Sequence, residues 1–373
     1  MSEALYAIAL SRMPYISQVA LVELYRKMGS ATHIMEYRND IRQILPEASQ
    51  RLIEMLQNMD GLLRRADDEL KYNAANNIRT LTLNAPDYPQ RLAECDDAPL
   101  VLFYKGNADL NQQHIVSIVG TRHCTNYGHD LIRRFMADLR QQCPKVLVVS
   151  GLAYGVDICA HRNALEQGYE TVGVLAHGLD DLYPPLHRPT AEQMTHQGGL
   201  LSEFMTMTNA DKRNFVRRNR IVAGMADATI LVESAAKGGG LITCNIAQSY
   251  NRDVFAFPGA VGMPYSEGCN NIIRNNTASL ITSAEDFMMA MGWQTDAILQ
   301  KAQQQGIERQ LFPDLTPEEQ TVVNTLTHHN DLQVNMLSAQ CNIPIGQLTA
   351  ILFSLEMKGV IRPQAGGTYH LLA

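Results

Sequence analysis

Three short segments of the chain have the residues for binding phosphate. They are Gly120-Thr121-Arg122, Ser150–Gly155 and Lys237–Gly240, and each adjoins a short apolar run or opens a helical pattern. Glycines let backbone N–H groups approach an anion, and a following helix adds the positive end of its dipole. If the apolar runs are parallel strands, all three segments lie at the carboxyl edge of one sheet, where open α/β sheets bind ligands. The sequence therefore predicts an anion-binding rim whose glycines are Gly120, Gly151, Gly238, Gly239 and Gly240.

A basic segment supplies the charge that this rim needs. Residues 205–220 contain five basic side chains against one acid, Asp211, and Phe215 is interleaved among them. Cations of this kind neutralise phosphates, and an aromatic ring beside them can stack on a base. We expect this run to converge with Thr121 and Arg122 on the carboxyl edge. Its basic members are Lys212, Arg213, Arg217, Arg218 and Arg220.

Other kinds of site lack their motifs. A dinucleotide fingerprint would need GxGxxG and an acid that ends the second strand, and a P-loop would need GxxxxGK[ST], but neither pattern occurs here. Asp157 and His161 stand four apart on a predicted helix, and no third metal ligand is near in sequence. We interpret them as a helix cap and a packed histidine. We expect no catalytic residue, no cofactor and no metal.

Composition limits the class of protein. The chain has 373 residues with a net charge of -7, which argues against a generic polyanion binder and requires a local basic patch. Seven scattered cysteines without a CxxC pair suit a reducing compartment. There is no secretion signal and no apolar run long enough to span a bilayer. The sequence predicts a cytoplasmic protein of two or three domains that does not enter a membrane.

The apolar pattern predicts four segments. Residues 1–75 read as a helical domain of the SAM or helix-hairpin-helix kind, and 76–293 alternate short apolar strands with amphipathic helices. That alternation is typical of an α/β fold with an extended Rossmann-like parallel sheet. Residues 294–314 are a glutamine-rich linker, and 315–373 follow the winged-helix plan of three helices and a hairpin. The strand candidates are Ile115–Val119, Val146–Ser150, Thr171–Leu175, Leu200–Glu203, Thr229–Glu233, Val254–Phe257 and Leu280–Ile281.

The predicted winged helix is a poor match for DNA. Residues 316–373 carry two basic side chains, Lys358 and Arg362, against four acids. The third helix, predicted from Ile345 to Lys358, is mostly apolar and offers one Gln347 and one Lys358 for base edges, beside the acidic Glu356. We expect this domain to contact protein or to pack.

Motifs throughout the central domain resemble the DprA/Smf family of bacterial DNA-processing proteins. The segments that carry the resemblance, in order, are 118–122, 150–157, 160–161, 178–180, 183–184, 199–203, 218–224, 240–243, 257–259 and 268–270. The resemblance implies a protein that binds single-stranded DNA entering by natural transformation, protects it and hands it to the RecA recombinase. It also implies homodimers, and a basic pocket made of Arg122, the Lys212–Arg220 run and Arg188. The alternative is a nucleotide-processing enzyme, such as a phosphoribohydrolase on a related fold.

Overall fold

The structure is a computed structural model that describes residues 3–293, 315–328, 330, 332–358, 360–364 and 367–371. The chain divides into two compact units, Met1–Ala297 and Ile298–Ala373, and each is described by itself. The predicted linker, 294–314, and Gly366 in the predicted wing turn lie outside the described residues. The four domain boundaries remain predictions.

The first unit begins with a cluster of helices. Ser17 accepts a hydrogen bond from the backbone N–H of Ala20 and so caps α2, and Gly29 ends that helix with a φ of 81°, in the left-handed region. A glycine in this conformation is a common helix C-cap. The buried faces of these helices share one hydrophobic cluster with a face of the sheet. The helices are α1 (Glu3–Ser11), α2 (Gln18–Met28), α3 (Ala31–Glu36), α4 (Gln50–Gln57) and α5 (Asp60–Ala75).

A nine-stranded sheet follows. Its strands are β1 (Arg79–Thr82), β2 (Val101–Gly106), β3 (Ile115–Val119), β4 (Leu147–Ser150), β5 (Glu170–Val174), β6 (Gly198–Ser202), β7 (Ala228–Leu231), β8 (Asp253–Ala256) and β9 (Ser279–Leu280). The helices are α6 (Gln90–Ala93), α7 (Asn126–Gln142), α8 (Val156–Glu166), α9 (Arg188–His196), α10 (Lys212–Met225), α11 (Gly239–Ser249), α12 (Glu267–Arg274) and α13 (Ala284–Met291). The α/β class and the seven predicted strands are confirmed, with small shifts at their ends.

One feature of the sheet differs from the prediction. Strands β1 and β2 are not among the sequence candidates; β1 pairs antiparallel with β2, and β2 pairs antiparallel with β6. The sheet is therefore mostly parallel, with an antiparallel edge, an arrangement that doubly wound sheets commonly carry.

The strand order creates a crevice at the carboxyl edge. The order is β1-β2-β6-β5-β4-β3-β7-β8-β9. From β3 the chain proceeds outward through β4, β5 and β6, and it then returns to place β7 on the other side of β3. Every residue of β3 is buried, because helices cover both faces of the sheet. The reversal beside β3 is a topological switch point, the usual place for a ligand in such sheets.

The second unit has the predicted winged-helix plan. Its helices are α14 (Pro317–His328), α15 (Val334–Cys341) and α16 (Ile345–Met357), and its strands are β10 (Leu332–Gln333), β11 (Ile361–Gln364) and β12 (Thr368–Leu371). The strands form an antiparallel sheet in the order β10-β12-β11. Thr316 and Glu319 cap α14 reciprocally, since each side chain accepts a hydrogen bond from the other's backbone N–H.

Within the described residues, no single helix is both long and apolar enough to cross a membrane. The pair formed by α15 and α16 is long and apolar enough only when the two helices are added together, and the chain bends by 106° between them. Four leucine and isoleucine side chains of α16 lie in the core of the winged helix. This burial is what the core helix of a folded domain would show, so the pair is weak evidence for a span.

Candidate functional site

The three predicted phosphate-binding segments line one cavity. This edge cavity, of about 660 Å³, lies at the carboxyl ends of β3, β4 and β7. Gly120, Thr121 and Arg122 come from the loop after β3, Gly151 from the loop after β4, and Gly238 to Gly240 from the start of α11. From α10, Lys212, Phe215 and Arg218 complete the predicted set that lines it. The switch point of the sheet thus brings ten of the fourteen sequence candidates together.

The glycines of the edge cavity are required by close packing at two places. A side chain at Gly151 would overlap the guanidinium of Arg218, so only glycine lets that arginine pass over the β4 loop. A Cβ on Gly240 would lie 2.7 Å from Leu231 and 3.1 Å from Cα of Gly120, so α11 approaches the sheet closely only with glycine there. By contrast, a Cβ on Gly239 would meet nothing within 4 Å.

The N-terminus of α11 is open to an anion. Its N-cap residue, Gly238, has no side chain with which to satisfy the N–H groups of the first turn. The neighbouring α10 differs, because its N-cap Asp211 accepts a hydrogen bond from Asn214 N at 2.8 Å. Of these two helix starts, α11 is therefore the one with donors left for a ligand.

A cation and two aromatic rings stand at the mouth of the edge cavity. The guanidinium carbon of the exposed Arg122 lies 4.8 Å from the ring centroid of Phe215. The ring of Tyr183 lies 6.0 Å from Phe215, tilted by 64°. Lys212 and Lys237, both exposed, line the same cavity. This mouth can neutralise phosphates and stack on a flat aromatic group at the same time.

Arg218 forms the floor of the edge cavity. It is 4% exposed, and its Nη1 donates to the carbonyl of Val174 at 2.6 Å, while its Nε has no partner. Burial lowers the pKa of Arg218, and the nearby carboxylate of Asp157 opposes that effect. Burial likewise raises the pKa of Asp157, against the attraction of Arg218. The two side chains are a buried pair of opposite charges that compensate each other.

The residues interpreted as structural have structural partners. Asp157 lies in the first turn of α8 and accepts a hydrogen bond from Ala153 N at 3.4 Å, but the N-cap residue of that helix is Gly155, so the helix-cap interpretation of Asp157 is wrong. His161 is fully buried, and its Nδ1 lies 2.7 Å from Thr171 Oγ1, which itself donates to Val148 O. Nδ1 therefore carries the proton. No group of three or more His, Cys, Asp or Glu side chains among the described residues could hold a metal ion.

The basic run of α10 does not converge on the edge cavity as a whole. Arg217 and Arg220 both pair with Glu203, and Arg217 Nη2 lies 2.7 Å from its carboxylate. Arg220 also donates to the carbonyl of Asp97, and its side chain is only 8% exposed. Arg213 and Arg188 are exposed but are not among the lining residues. On a helix, neighbouring residues point in different directions, so a run of cations spreads over several faces.

Sequence reasoning did not single out several lining residues as contacts. Tyr154, Tyr183, Asn219 and Lys237 border the edge cavity together with the predicted set. Tyr154 and Lys237 belong to segments that the glycine pattern had marked, so their place could have been inferred. Tyr183 comes from the loop after β5, and nothing in its local sequence indicates that its ring reaches Phe215.

Comparisons with known proteins agree with this architecture. A family described as DNA recombination-mediator protein A matches residues 79–292, and a DprA winged helix domain matches residues 308–367. Protein Smf of Synechocystis is 32% identical over 330 residues, which cover 80% of this chain and 82% of that protein. DNA processing protein DprA of Streptococcus pneumoniae is 38% identical over 201 residues, 54% of this chain and 70% of that protein.

Solved structures agree as well. The X-ray structure of DprA from Streptococcus pneumoniae has a TM-score of 0.65 at 30% identity, covering 78% of this chain and 98% of that one. A structure of DprA from Helicobacter pylori, described for its single-stranded DNA binding mode, has a TM-score of 0.52 at 27% identity, covering 57% of this chain and 95% of that one. The fold and both domain matches coincide, and the chain belongs to the DprA/Smf family of DNA recombination mediators.

Proposed function

We propose that the chain binds single-stranded DNA in the edge cavity, protects it and loads the RecA recombinase on it during natural transformation. It does so in the cytoplasm, as a homodimer and without turning over a substrate. The observation that carries the DNA-binding part is the exposed guanidinium of Arg122, stacked 4.8 Å from Phe215 beside the open N-terminus of α11. The relative from Helicobacter pylori, whose single-stranded DNA binding mode has been described, supports this assignment.

The geometry favours single strands over duplexes. Arg122, Lys212 and Lys237 are exposed cations for phosphates, and they act on any sequence. Phe215 can stack only on a base whose face is open, and in a duplex both faces of each base are covered by its neighbours. Binding should therefore depend on salt and prefer unpaired strands, with little preference for sequence.

The enzyme alternative has a weaker geometric basis. A phosphoribohydrolase would need a carboxylate free to hold a ribose, and Glu233 is the residue that comes nearest in sequence to that role. Glu233 is 3% exposed, and its two oxygens accept hydrogen bonds from Thr125 N at 2.8 Å and Thr125 Oγ1 at 2.7 Å. Incubation with nucleoside monophosphates tests this alternative, and release of free base would establish it.

A salt-dependent gel shift that compares single- and double-stranded DNA of one length tests the proposal directly. We expect tighter binding of the single strand and an affinity that falls linearly with salt on a log–log plot. Equal affinity for both forms, or binding that ignores salt, would overturn it.

The homodimer would strengthen DNA binding through avidity. One edge cavity makes only a few phosphate contacts, and pairing two of them makes the second contact intramolecular. We place the interface on Leu241–Tyr250 and the region through Asn276, which have few charges. Within α11, Thr243, Cys244 and Ala247 pack inside the domain, and Ile242 is 40% exposed. Light scattering at micromolar concentration should give twice the chain mass, and a monomer with full DNA affinity would refute the avidity argument.

Loading of the recombinase is tested by the rate at which RecA assembles on coated single strands. We expect the full-length chain to raise that rate. An unchanged rate would leave a DNA-binding protein without this role.

A further inference from the structure

A second cavity lies next to the edge cavity and is not used by the proposed function. This side cavity, of about 470 Å³, lies at the carboxyl ends of β7 and β8. The loop after β3 borders both cavities, since Thr121 and Arg122 line the edge cavity and Thr125 lines the side cavity. The two cavities are therefore separated by a few residues of one loop, which span at most ~14 Å even when fully extended.

Two aromatic side chains in the walls of the side cavity, Tyr127 and Tyr265, are held by contacts with their neighbours. The hydroxyl of Tyr127 donates to the carbonyl of Pro258 at 2.6 Å, which holds its ring, 46% exposed, at the opening. Tyr265 stacks on His123 with ring centroids 6.0 Å apart and planes 26° apart. The described residues that line this cavity include no lysine or arginine. Its interior therefore suits a flat, uncharged aromatic group better than a phosphate.

The one carboxylate in the side cavity is compensated. Glu233 lines the cavity, but both of its oxygens accept hydrogen bonds from Thr125, the N-cap residue of α7. The positive end of the α7 dipole lies at the same place and offsets the charge. Glu233 therefore does not prevent an electron-rich ring from entering.

Two exposed cations lie near this apolar cavity without lining it. Arg122 lies on the side of the edge cavity. Arg134 lies two turns along α7 from Tyr127, on the same face, and it is exposed. Burial raises the pKa of Tyr127 and the positive charge of Arg134 lowers it, which is consistent with that proximity. The neighbouring Arg133 differs, because it pairs with Asp130 at 2.6 Å.

We infer that the side cavity binds a second nucleobase of the same DNA strand, with Arg122 and Arg134 on the phosphates that flank it. The inference rests on the proposed function and extends it, because it assigns a second aromatic site beside the loop that carries Arg122. An apolar side chain of a partner protein would fit the interior but would leave the two flanking cations without counter-charges. Charge complementarity therefore favours nucleic acid.

Photo-crosslinking of the wild-type, full-length chain tests the inference without any substitution. Single-stranded oligonucleotides carry one 5-iodouracil, moved along the strand, and peptide mapping identifies the attached residue. We expect one position to crosslink to Phe215 and another, displaced along the strand, to Tyr127 or Tyr265. Crosslinks to Phe215 alone would overturn the second site and leave the proposed function standing.

Matched variants give an independent readout. For a strand long enough to fill both cavities, Tyr127→Ala should weaken binding about ten-fold, and Tyr127→Phe should keep most of the affinity because it keeps the ring. Arg134→Ala should lower the log–log salt slope by about 0.7, the value for one single-strand phosphate contact. Arg133→Ala is the control and should leave the slope unchanged.

Strands of different length test the second site and the proposed function separately. A dinucleotide that fills only the edge cavity should bind Tyr127→Ala as tightly as wild type, and Arg122→Ala more weakly. A Tyr127→Ala variant with wild-type affinity for every length refutes the inference alone. If Arg122→Ala also binds every strand normally, the proposed function fails with it.

Discussion

Replacing Arg122 is the most direct test of the edge cavity, and the chain offers a closely matched control. Arg122 and Arg217 are both exposed arginines that stack on a phenylalanine, at 4.8 Å from Phe215 and 5.5 Å from Phe204. They differ in charge environment, since Arg217 pairs with Glu203 at 2.7 Å and does not line the cavity. Alanine at either position removes the same side chain from the face of a phenylalanine ring, so the two variants differ mainly in the charge environment that is lost.

The expected magnitude follows from one phosphate contact. Losing Arg122 should lower the slope of log affinity against log salt by about 0.7 for a single strand. A hydrogen bond between charged groups contributes about 1.5–3 kcal/mol, and solvent screening at an exposed site reduces that figure, so we expect a loss near 1.4 kcal/mol or ten-fold. Arg217→Ala should change the affinity by less than about two-fold, because its guanidinium is already paired with Glu203 and does not line the cavity.

Fluorescence anisotropy of a labelled single strand, repeated at several salt concentrations, measures both quantities. The reasoning is refuted if Arg122→Ala keeps the wild-type slope, or if Arg217→Ala loses as much affinity as Arg122→Ala. The first result would remove the edge cavity from the DNA path. The second would show that the basic run of α10 acts as a whole, in spite of its pairing with Glu203.

Three further predictions concern the rest of the chain. Deleting residues 315–373 should leave most single-strand affinity intact, because Lys358 is bound to Glu319 at 2.7 Å; a ten-fold loss would contradict this. Gly151→Ala should lower the melting temperature, since its methyl group would overlap Arg218, whereas Gly239→Ala has open space; equal melting temperatures would refute the packing argument. Burial, aided by the charges of Arg218 and His187, lowers the pKa of His161 to about 3, so only the unfolded chain takes up its proton between about pH 6.5 and 3. The free energy of unfolding should therefore decrease as the pH is lowered through that window, by up to about 1.4 kcal/mol per pH unit. A His161→Asn variant whose melting temperature depends on pH between 7 and 4 as that of the wild type does would disprove it.

The parallel part of the fold was predictable because its signals are local. Strands such as Ile115–Val119 are short, mostly apolar and followed by glycine, and they stand between amphipathic helices. The antiparallel edge strands were missed for a physical reason. Val101–Gly106 is as apolar as the others, but it follows no crossover helix of the usual length, so its place in the sheet depends on pairing with β6.

The candidate site was predictable in its backbone and less so in its side chains. Parallel strands must bring their carboxyl ends to one edge, so the apolar pattern alone is enough to place the glycine loops together. The direction of each arginine on α10 could not be predicted, because it depends on tertiary partners such as Glu203 and Asp97, which are far from the helix in sequence. Periodicity alone would have warned that Arg217 and Arg218 point to different faces.

The way Glu233 holds the loop after β3 has a consequence for the thermodynamics of binding. Its backbone carbonyl accepts from Thr121 N at 2.8 Å, and its carboxylate accepts from Thr125, so the residues between, including Arg122, are held at both ends by one residue that follows β7. A loop held in this way has little backbone freedom to lose when a strand arrives. Ordering a free loop would cost ~1–2 kcal/mol for each residue fixed. Preorganisation here should let a small contact surface reach useful affinity, and the entropy of binding should become less favourable in Glu233→Ala, which releases the Thr125 end of the loop.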